Sequence, residues 1–295
     1  MAQPIQYLEG DPGTRLAYRE WGPASGARAV VVVVPGFNSH SGYYEWAGTR
    51  LVAEGYVTFA IDLRGRGASD GDRFYVRDLA DYASDLGRLI VEVRQREPVL
   101  PLFLLGHSAG GVVACLYALD HQAELAGLIS ESFAQELPAP DFALAVIKGL
   151  SHLAPHAHVL RLKNEDFSRD PAVVEAMNED ALIAHEAQPT QTLAALVRAD
   201  EVLKTRFGSL TLPLLILHGT ADKAAKPSGS THFFESAGSA DKSLKLYEGG
   251  YHDPLNDLDR EAVLGDIIAW LNAHGGGSAG RAGGPVLASP LSMPT

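Results

Sequence analysis

The chain has one cysteine, no long hydrophobic run and little positive charge. A single thiol cannot form an internal disulfide, and the place of Cys115 in a predicted helix favours a small buried apolar residue over a reactive thiol. No stretch approaches the length that spans a bilayer. Residues 1–7 have neither the basic segment nor the apolar segment of a secretory signal. These absences predict a soluble cytoplasmic protein without stable membrane insertion.

Basic side chains are outnumbered by acidic ones. The 24 lysine and arginine residues and 36 aspartate and glutamate residues leave a formal net charge of -12 at pH 7. Nucleic acids and anionic membranes require a basic face, so neither is expected as the main partner. A hydrophobic share of 46% and a charged share of 20% are ordinary for a globular protein with a sizeable core. A small molecule, whose binding site is set independently of net charge, is the expected partner.

Apolar runs alternate with helical patterns along most of the chain. Predicted strands cover residues 14–20, 29–34, 56–62, 101–105, 125–130, 212–217 and 242–247. Predicted helices cover residues 43–54, 79–94, 111–119 and 260–271. Residues 14–20 alternate like an edge strand, whereas the β-branched run at 29–34 predicts a central strand. The order predicts an α/β fold, with a mostly parallel central sheet and helices on both faces.

The alternation stops after Glu131, and the sequence that follows is helical and turn-like. Prolines divide it into short helices, at Pro138, Pro140, Pro155, Pro171 and Pro189. We interpret residues 136–207 as a helical cap segment over the carboxyl edge of the sheet, between two parts of the core, 1–135 and 208–274. A separate helical domain is disfavoured because no flexible linker flanks the segment. The glycine-rich residues 275–295 predict a disordered tail.

The pentapeptide 106–110 carries a Gly-x-Ser-x-Gly pattern between the strand at 101–105 and the helix at 111–119. This is the setting of a nucleophile elbow, a sharp turn that exposes a serine hydroxyl at a helix N-terminus. The pattern predicts that Ser108 is a nucleophile and that His107 lines the substrate pocket. The alternative is a glycine-rich turn with an incidental serine.

A serine hydroxyl requires a base, and the base requires an orienting carboxylate. In hydrolases with a nucleophile elbow these residues follow in the order serine, acid, histidine, each in a loop after a strand. Asp222 follows the strand at 212–217 and His252 follows the strand at 242–247, so we expect a Ser108, Asp222 and His252 triad. The alternative acid is Glu131, which also follows a strand. His218 shares a loop with Asp222 and is expected to pack beneath the site.

Ester chemistry also requires N–H donors for the tetrahedral oxyanion. The N–H of Ala109, directly after the nucleophile, is one candidate. The second is the N–H of Phe37, because Gly36 before it allows close approach of the backbone. Three histidines superficially resemble a metal cluster, at positions His152, His156 and His158. Pro155 breaks the helix that would align them, so neither a metal nor an organic cofactor is predicted.

Five segments carry motifs of one known family: residues 36–44, 62–69, 104–111, 168–171 and 246–252. They resemble, in this order, the oxyanion loop, an Asp-x-x-Gly-His-Gly-x-Ser loop, the elbow, a cap motif and the histidine loop of the monoacylglycerol lipase and lysophospholipase family, also called the serine-aminopeptidase-like group. The resemblance implies the α/β-hydrolase fold, with a helical cap inserted after the sixth strand. It also implies a serine hydrolase of carboxylic esters.

Three positions depart from the family pattern in the oxyanion loop (residues 36–44) and just before it. Pro35 stands in place of a usual histidine, Ser39 in place of a glutamate and Tyr43 in place of an arginine. In the family the glutamate and the arginine help to hold the glycerol hydroxyls. Their loss favours a broader carboxylesterase, with an apolar acyl or aryl group held against Phe37, Tyr43 and the cap segment.

Two other functions are weighed against an ester hydrolase. A peptidase or amidase would use acidic side chains of the cap segment to bind an amino terminus, and the candidates are Glu165, Asp166, Glu175, Glu179 and Asp180. An acidic helical face is usually only solvated, which disfavours this alternative. A catalytically silent binding protein would lack a member of the triad, whereas all three candidate residues are present.

Overall fold

The computed structural model describes residues 3–11, 13–23, 26–135 and 141–275. The strands in these ranges are β1 (Gln6–Glu9), β2 (Arg15–Trp21), β3 (Ala29–Val34), β4 (Tyr56–Ile61), β5 (Leu102–His107), β6 (Gly127–Glu131), β7 (His158–Leu160), β8 (Gln188–Pro189), β9 (Leu214–Gly219) and β10 (Lys242–Tyr247). The α-helices are α1 (Glu45–Ala53), α2 (Leu79–Arg96), α3 (Ala109–His121), α4 (Asp141–Leu150), α5 (Pro171–Glu179), α6 (Thr190–Arg206), α7 (Pro227–Ser236) and α8 (Arg260–His274). Short 3-10 helices cover Ser41–Tyr44, Gln122–Glu124, Asn164–Asp166, Phe207–Ser209 and Pro254–Asn256. The predicted tail lies outside these ranges except for Gly275.

Within the described residues, eight strands form one sheet in the order β1-β2-β4-β3-β5-β6-β9-β10. The β1–β2 and β2–β4 pairs are antiparallel, and every other pair in this sheet is parallel. The prediction that residues 14–20 form an edge strand is wrong, because β2 is paired on both sides and β1 forms the edge. The four residues of β1 are too few to show a period, so this strand could not be predicted from the sequence.

The sheet is covered by helices on both faces, which confirms the predicted α/β class. All six residues of β3 are buried, because a parallel strand in the middle of such a sheet packs against helices above and below it. Val30 and Val32 belong to the hydrophobic cluster formed with α2, α3, α6 and α7. Val31 and Val33 belong to the cluster formed with α1 and α8. Cys115 is fully buried in the first cluster, and burial raises the pKa of its thiol.

The cap segment, residues 136–207, is described from residue 141 onward and contains α4, α5 and α6. It also contains β7 and β8, which pair antiparallel and were not predicted. These strands have three and two residues, lengths at which neither alternation nor composition separates a strand from a turn. Helix α6 packs on the first hydrophobic cluster through Ala195, Leu196 and Leu203. The division of the chain into core, cap and tail stays a prediction.

The parallel strands all end at the same edge of the sheet, and the predicted site residues follow these ends. Gly36 and Phe37 come after β3, Ser108 after β5, and Asp222 after β9. His252 follows β10 in the same way. Helix α7, between β9 and β10, was not predicted from the sequence. Among the described residues no helix is long and apolar enough to cross a membrane.

Candidate active site

Ser108 lies at the tip of a sharp turn between β5 and α3. Its φ of 54° is in the left-handed region that residues with a side chain rarely adopt. The turn requires glycine on both sides, since a Cβ added at Gly110 would lie 2.0 Å from the carbonyl oxygen of Val34 and one at Gly106 would lie 2.6 Å from that of Gly110. The elbow therefore presents the Ser108 hydroxyl at the N-terminus of α3.

Ser108, His252 and Asp222 form a continuous hydrogen-bonded chain. The Ser108 Oγ lies 2.9 Å from His252 Nε2, and His252 Nδ1 lies 2.6 Å from Asp222 Oδ2. An ionised carboxylate only accepts, so His252 Nδ1 carries a proton and Nε2 is free to accept the proton of the Ser108 hydroxyl. This is the tautomer that a general base requires.

Four donors surround the Asp222 carboxylate. Its Oδ1 accepts the backbone N–H groups of Ala224 and Ala225 at 2.7 and 3.0 Å, and its Oδ2 also accepts His218 Nε2 at 2.9 Å. Complete burial by itself would raise the pKa of Asp222, but the His252 charge and the histidine hydrogen bonds outweigh it and hold the pKa well below its ordinary value. The group is therefore ionised when it faces His252.

His218 occupies the position expected for it beneath the site. It is fully buried, and its Nδ1 lies 2.6 Å from the Ser230 Oγ. Because Nε2 donates to Asp222, Nδ1 accepts the Ser230 hydroxyl proton and the imidazole is satisfied on both sides. His218 thus orients the carboxylate that orients His252.

Glu131, the alternative acid, lies at the end of β6 and is fully buried. Its Oε1 accepts the N–H of Leu255 at 2.8 Å, while its Oε2 has no hydrogen-bond partner among the described residues. Burial, followed by the nearby charge of Asp253, raises its pKa well above the ordinary value. Glu131 makes no hydrogen bond to His252, and the geometry favours Asp222 as the orienting acid.

The two candidate oxyanion donors flank the Ser108 side chain. A Cβ added at Gly36 would lie 2.8 Å from the Ser108 Cβ, so the backbone that leads into Phe37 passes directly over the serine. Ala109 is the first residue of α3, a position whose N–H has no partner inside the helix. Neither the Phe37 nor the Ala109 N–H donates to an acceptor in the part of the chain that the structure describes.

His107 supports the histidine loop (residues 246–252). It is fully buried, its Nε2 donates to the carbonyl oxygen of His252 at 3.0 Å, and the two rings lie 5.0 Å apart. Burial lowers the pKa of His107 and keeps the ring neutral. Its expected role in lining the pocket stays a prediction, since its contacts in this structure are with the loop that carries His252.

The cap segment contributes residues that were not predicted from the sequence to belong to the site. The Phe167 ring stands perpendicular to the His252 ring at 5.0 Å. Arg169 in the predicted cap motif bonds Asp257 through its Nε at 2.7 Å, and the same carboxylate accepts the N–H of Tyr251 at 3.1 Å. The motif was visible in the sequence, but its contact with the histidine loop depends on tertiary structure alone.

A second contact joins the cap segment to the oxyanion loop. Asp180 Oδ2 accepts from His40 Nε2 at 2.7 Å and from the Tyr43 hydroxyl at 3.0 Å. Its Oδ1 accepts the N–H of Leu182 at 2.8 Å. Burial alone would raise the pKa of Asp180, but these donors, His40 foremost, lower it to about 2.

With the cap segment in this position the three triad candidates are closed off from solvent. Ser108 is 6% exposed and His252 is 1% exposed.

The three histidines considered as metal ligands lie elsewhere in the cap segment, where the His156 ring stacks on Tyr75 at 4.4 Å. Among the described residues no group of three or more histidine, cysteine, aspartate or glutamate side chains is arranged to hold a metal ion.

Comparison with known proteins places this geometry in a family. Residues 25–259 match the family described as serine aminopeptidase, S33. The chain is 33% identical over 267 residues to the monoacylglycerol lipase of Mycolicibacterium smegmatis, covering 90% of this chain and 95% of that protein. It is 31% identical to the monoglyceride lipase of Rattus norvegicus, covering 92% and 91%.

Solved structures agree with the fold. The crystal structure of a soluble variant of monoglyceride lipase from Saccharomyces cerevisiae, in complex with a substrate analog, superposes with a TM-score of 0.84 at 24% identity. The match covers 93% of this chain and 95% of that one. The chain belongs to the serine aminopeptidase S33 family of the α/β-hydrolase fold.

Proposed function

We propose that this protein hydrolyses carboxylic esters through an acyl-enzyme on Ser108. The observation that carries the proposal is the hydrogen-bonded chain from Ser108 through His252 to Asp222, at 2.9 and 2.6 Å and in the tautomer of a general base. The relatives named as monoacylglycerol lipases support ester hydrolysis as the reaction class.

The proposed reaction has two halves. The Nε2 of His252 takes the proton of the Ser108 hydroxyl as Oγ attacks the ester carbonyl, and the Phe37 and Ala109 N–H groups hold the resulting oxyanion. His252 then gives that proton to the leaving alcohol, and the acyl group remains on Oγ. A water molecule, deprotonated by His252, attacks the acyl-enzyme and releases the acid, and the proton returns to Ser108. No step needs a metal or an organic cofactor.

We infer a carboxylesterase without strict preference for monoacylglycerol. Asp180 is a cap-segment carboxylate beside the oxyanion loop, in which Ser39 stands in place of the glutamate of the family pattern. Its oxygens already accept from His40, Tyr43 and Leu182, which occupies three of the four acceptor positions of a carboxylate. Asp180 therefore fastens the cap segment to the oxyanion loop, and little capacity is left to bind a glycerol hydroxyl.

Monoacylglycerol hydrolysis is the second candidate function, favoured by the names of the relatives.

A peptidase or amidase function has less support. Three of its acidic candidates, Glu165, Glu175 and Glu179, are exposed to solvent. Asp180 is occupied by its protein partners, and Asp166 lies 3.8 Å from the ammonium of Lys223. None of these carboxylates is positioned as an unpaired buried group for a substrate amino terminus.

The test of the proposal is Ser108→Ala, assayed with a p-nitrophenyl ester and with a fluorophosphonate probe. We expect the wild type to hydrolyse the ester and to be labelled, because Oγ is the attacking atom in both reactions. The variant is expected to lose both ester hydrolysis and labelling, while its unfolding temperature stays that of the wild type. Hydrolysis or labelling that persists in the folded variant would overturn the assignment of Ser108.

A further inference from the structure

A carboxylate from the cap segment holds the backbone of the oxyanion loop. The N–H of Asn38 donates to Glu186 Oε1 at 2.9 Å, although the two residues are 148 positions apart. Asn38 directly follows Phe37, the candidate oxyanion donor, and has a φ of 51° in the left-handed region. The loop therefore adopts an unfavourable conformation at the residue where Glu186 binds it.

Glu186 is part of a buried polar cluster that we call the Arg66 cluster, formed by Arg66, Tyr82, Glu186 and Gln188. Arg66 Nη1 binds Glu186 Oε1, its Nη2 binds Gln188 Oε1 at 2.8 Å, and its Nε binds the Tyr82 hydroxyl at 3.1 Å. Gln188 Nε2 also donates to Glu186 Oε1 at 2.7 Å. Arg66 stands where the family motif has a histidine.

The Arg66 cluster also holds the Phe37 side chain. The guanidinium carbon of Arg66 lies 4.0 Å from the centroid of the Phe37 ring, which is the geometry of a cation–π contact. The ring of Phe37 and the peptide groups before and after it are each held by a contact. Arg66 contacts the ring, and Glu186 accepts the N–H of the peptide that follows Phe37. The peptide that precedes Phe37 lies close to Ser108 because Gly36 has no side chain. The direction of the Phe37 N–H follows from these three restraints.

We propose that Glu186 and Arg66 are positioning residues that align the Phe37 N–H with the oxyanion, so that the cap segment completes the oxyanion hole. The inference rests on the proposed ester hydrolysis. A buried ion pair is a weak source of stability, because desolvation of the two charges offsets their attraction. A misplacement of a donor by about 1 Å, in contrast, lowers a rate by about two orders of magnitude.

The test compares two double variants, Arg66→Met with Glu186→Gln and Arg66→Met with Glu186→Leu. Both remove the buried charges, so neither leaves an unpaired ion to unfold the protein. Glutamine keeps an oxygen that accepts the Asn38 N–H, whereas leucine does not. With a p-nitrophenyl ester we expect kcat to be roughly 10- to 100-fold lower in the leucine variant than in the glutamine variant, with KM within about 3-fold.

A trifluoromethyl ketone provides a second readout, because its adduct with Ser108 places a negative oxygen in the oxyanion hole. Its affinity is expected to fall in parallel with kcat across the variants, which a general loss of stability would not produce. The matched control is the ion pair of Arg64, two residues before Arg66, with Asp85 of α2, in which Nε lies 2.6 Å from Oδ2. Among the described residues neither side chain has a hydrogen bond or ion pair with the oxyanion loop. We expect equal kcat values in the two control double variants, Arg64→Met with Asp85→Asn and Arg64→Met with Asp85→Leu.

Equal kcat and equal ketone affinity in the two Arg66 double variants, at equal folded fraction, would overturn the positioning role. That result differs from a failure of the proposed function, in which the wild type itself would not hydrolyse the ester or Ser108→Ala would remain active.

Discussion

Backbone strain at this site lies on the residues that the proposed chemistry uses. Ser108 and Asn38 both have positive φ, one at the nucleophile and the other directly after the candidate oxyanion donor. Such conformations cost of the order of 1 kcal/mol each and persist only where surrounding contacts hold them. Here the glycines of the elbow and the carboxylate of Glu186 supply those contacts.

The pKa values of two buried carboxyl groups, Asp222 and Glu131, are shifted in opposite directions, and this difference predicts their roles. The pKa of Asp222 is lowered by its histidine partners, and the pKa of Glu131 is raised by burial and by Asp253. Only the ionised group can orient an imidazole and stabilise the imidazolium that forms during catalysis.

We therefore expect Asp222→Asn to lower kcat for a p-nitrophenyl ester by about 1,000- to 10,000-fold, because the amide favours the wrong tautomer of His252. Glu131→Gln keeps the acceptor for the Leu255 N–H and is expected to change kcat by less than about 3-fold. Steady-state kinetics of the two variants measure both effects. The reverse ranking would make Glu131 the orienting acid.

Among the elements, the strongly patterned segments were predicted, whereas helix α7 and the three shortest strands were missed. The valine run of β3 and the apolar stripe of α2 carry their own periodic signal. Strands β1, β7 and β8 are four residues or fewer, and they exist because a neighbouring strand offers backbone hydrogen bonds. The same reason explains the wrong edge, since the place of β2 in the sheet depends on whether β1 pairs with it.

The cap segment is the element that determines the expected substrate range. Asp180 is occupied by three protein donors, while Ser39 and Tyr43 lack the charges of the family pattern. We expect kcat/KM for a monoacylglycerol to lie within about tenfold of that for an ethyl ester with the same acyl chain, whose leaving alcohol is of similar reactivity, a gap of about 1.4 kcal/mol in transition-state binding. A chain-length series of both substrates measures this. A preference for monoacylglycerol beyond that range would contradict the inference.

For the whole molecule, Glu131 predicts a pH dependence of folding. Its pKa is raised in the folded protein, so the folded state keeps a proton that the unfolded chain releases above about pH 4.3. The stability associated with this group is therefore fully present below that pH and is lost as the pH rises through the folded pKa. The burial of a carboxyl without a partner at Oε2 is the cause.

We expect Glu131→Gln to match the wild type in stability near pH 4 and to exceed it progressively toward pH 8. A gain of about 1 kcal/mol would raise Tm by about 2–4 °C in a chain of this size class. Calorimetry or urea unfolding across the pH range measures the difference. Glu175→Gln, on an exposed face, is the control, and we expect its stability to differ from that of the wild type by a small amount that is the same at every pH. An offset for Glu131→Gln that does not grow with pH would contradict the prediction.

The sequence by itself determined the order of the main elements, the elbow at Ser108, and the succession of Asp222 and His252 after it. These features are local, because a strand, a tight turn and a loop position are each encoded within a few neighbouring residues. The histidine loop and the oxyanion loop could be located in the same way.

Only the tertiary structure decided which distant side chains meet. Glu186 reaches Asn38 across 148 positions, and Asp222 rather than Glu131 lies against His252 although both follow buried strands. No periodicity encodes such contacts, because they depend on how a cap segment packs on the edge of a sheet. The directions in which the pKa values of Asp222 and Glu131 shift were decided at the same level, since burial and neighbouring charge act on a carboxyl through space and not along the chain.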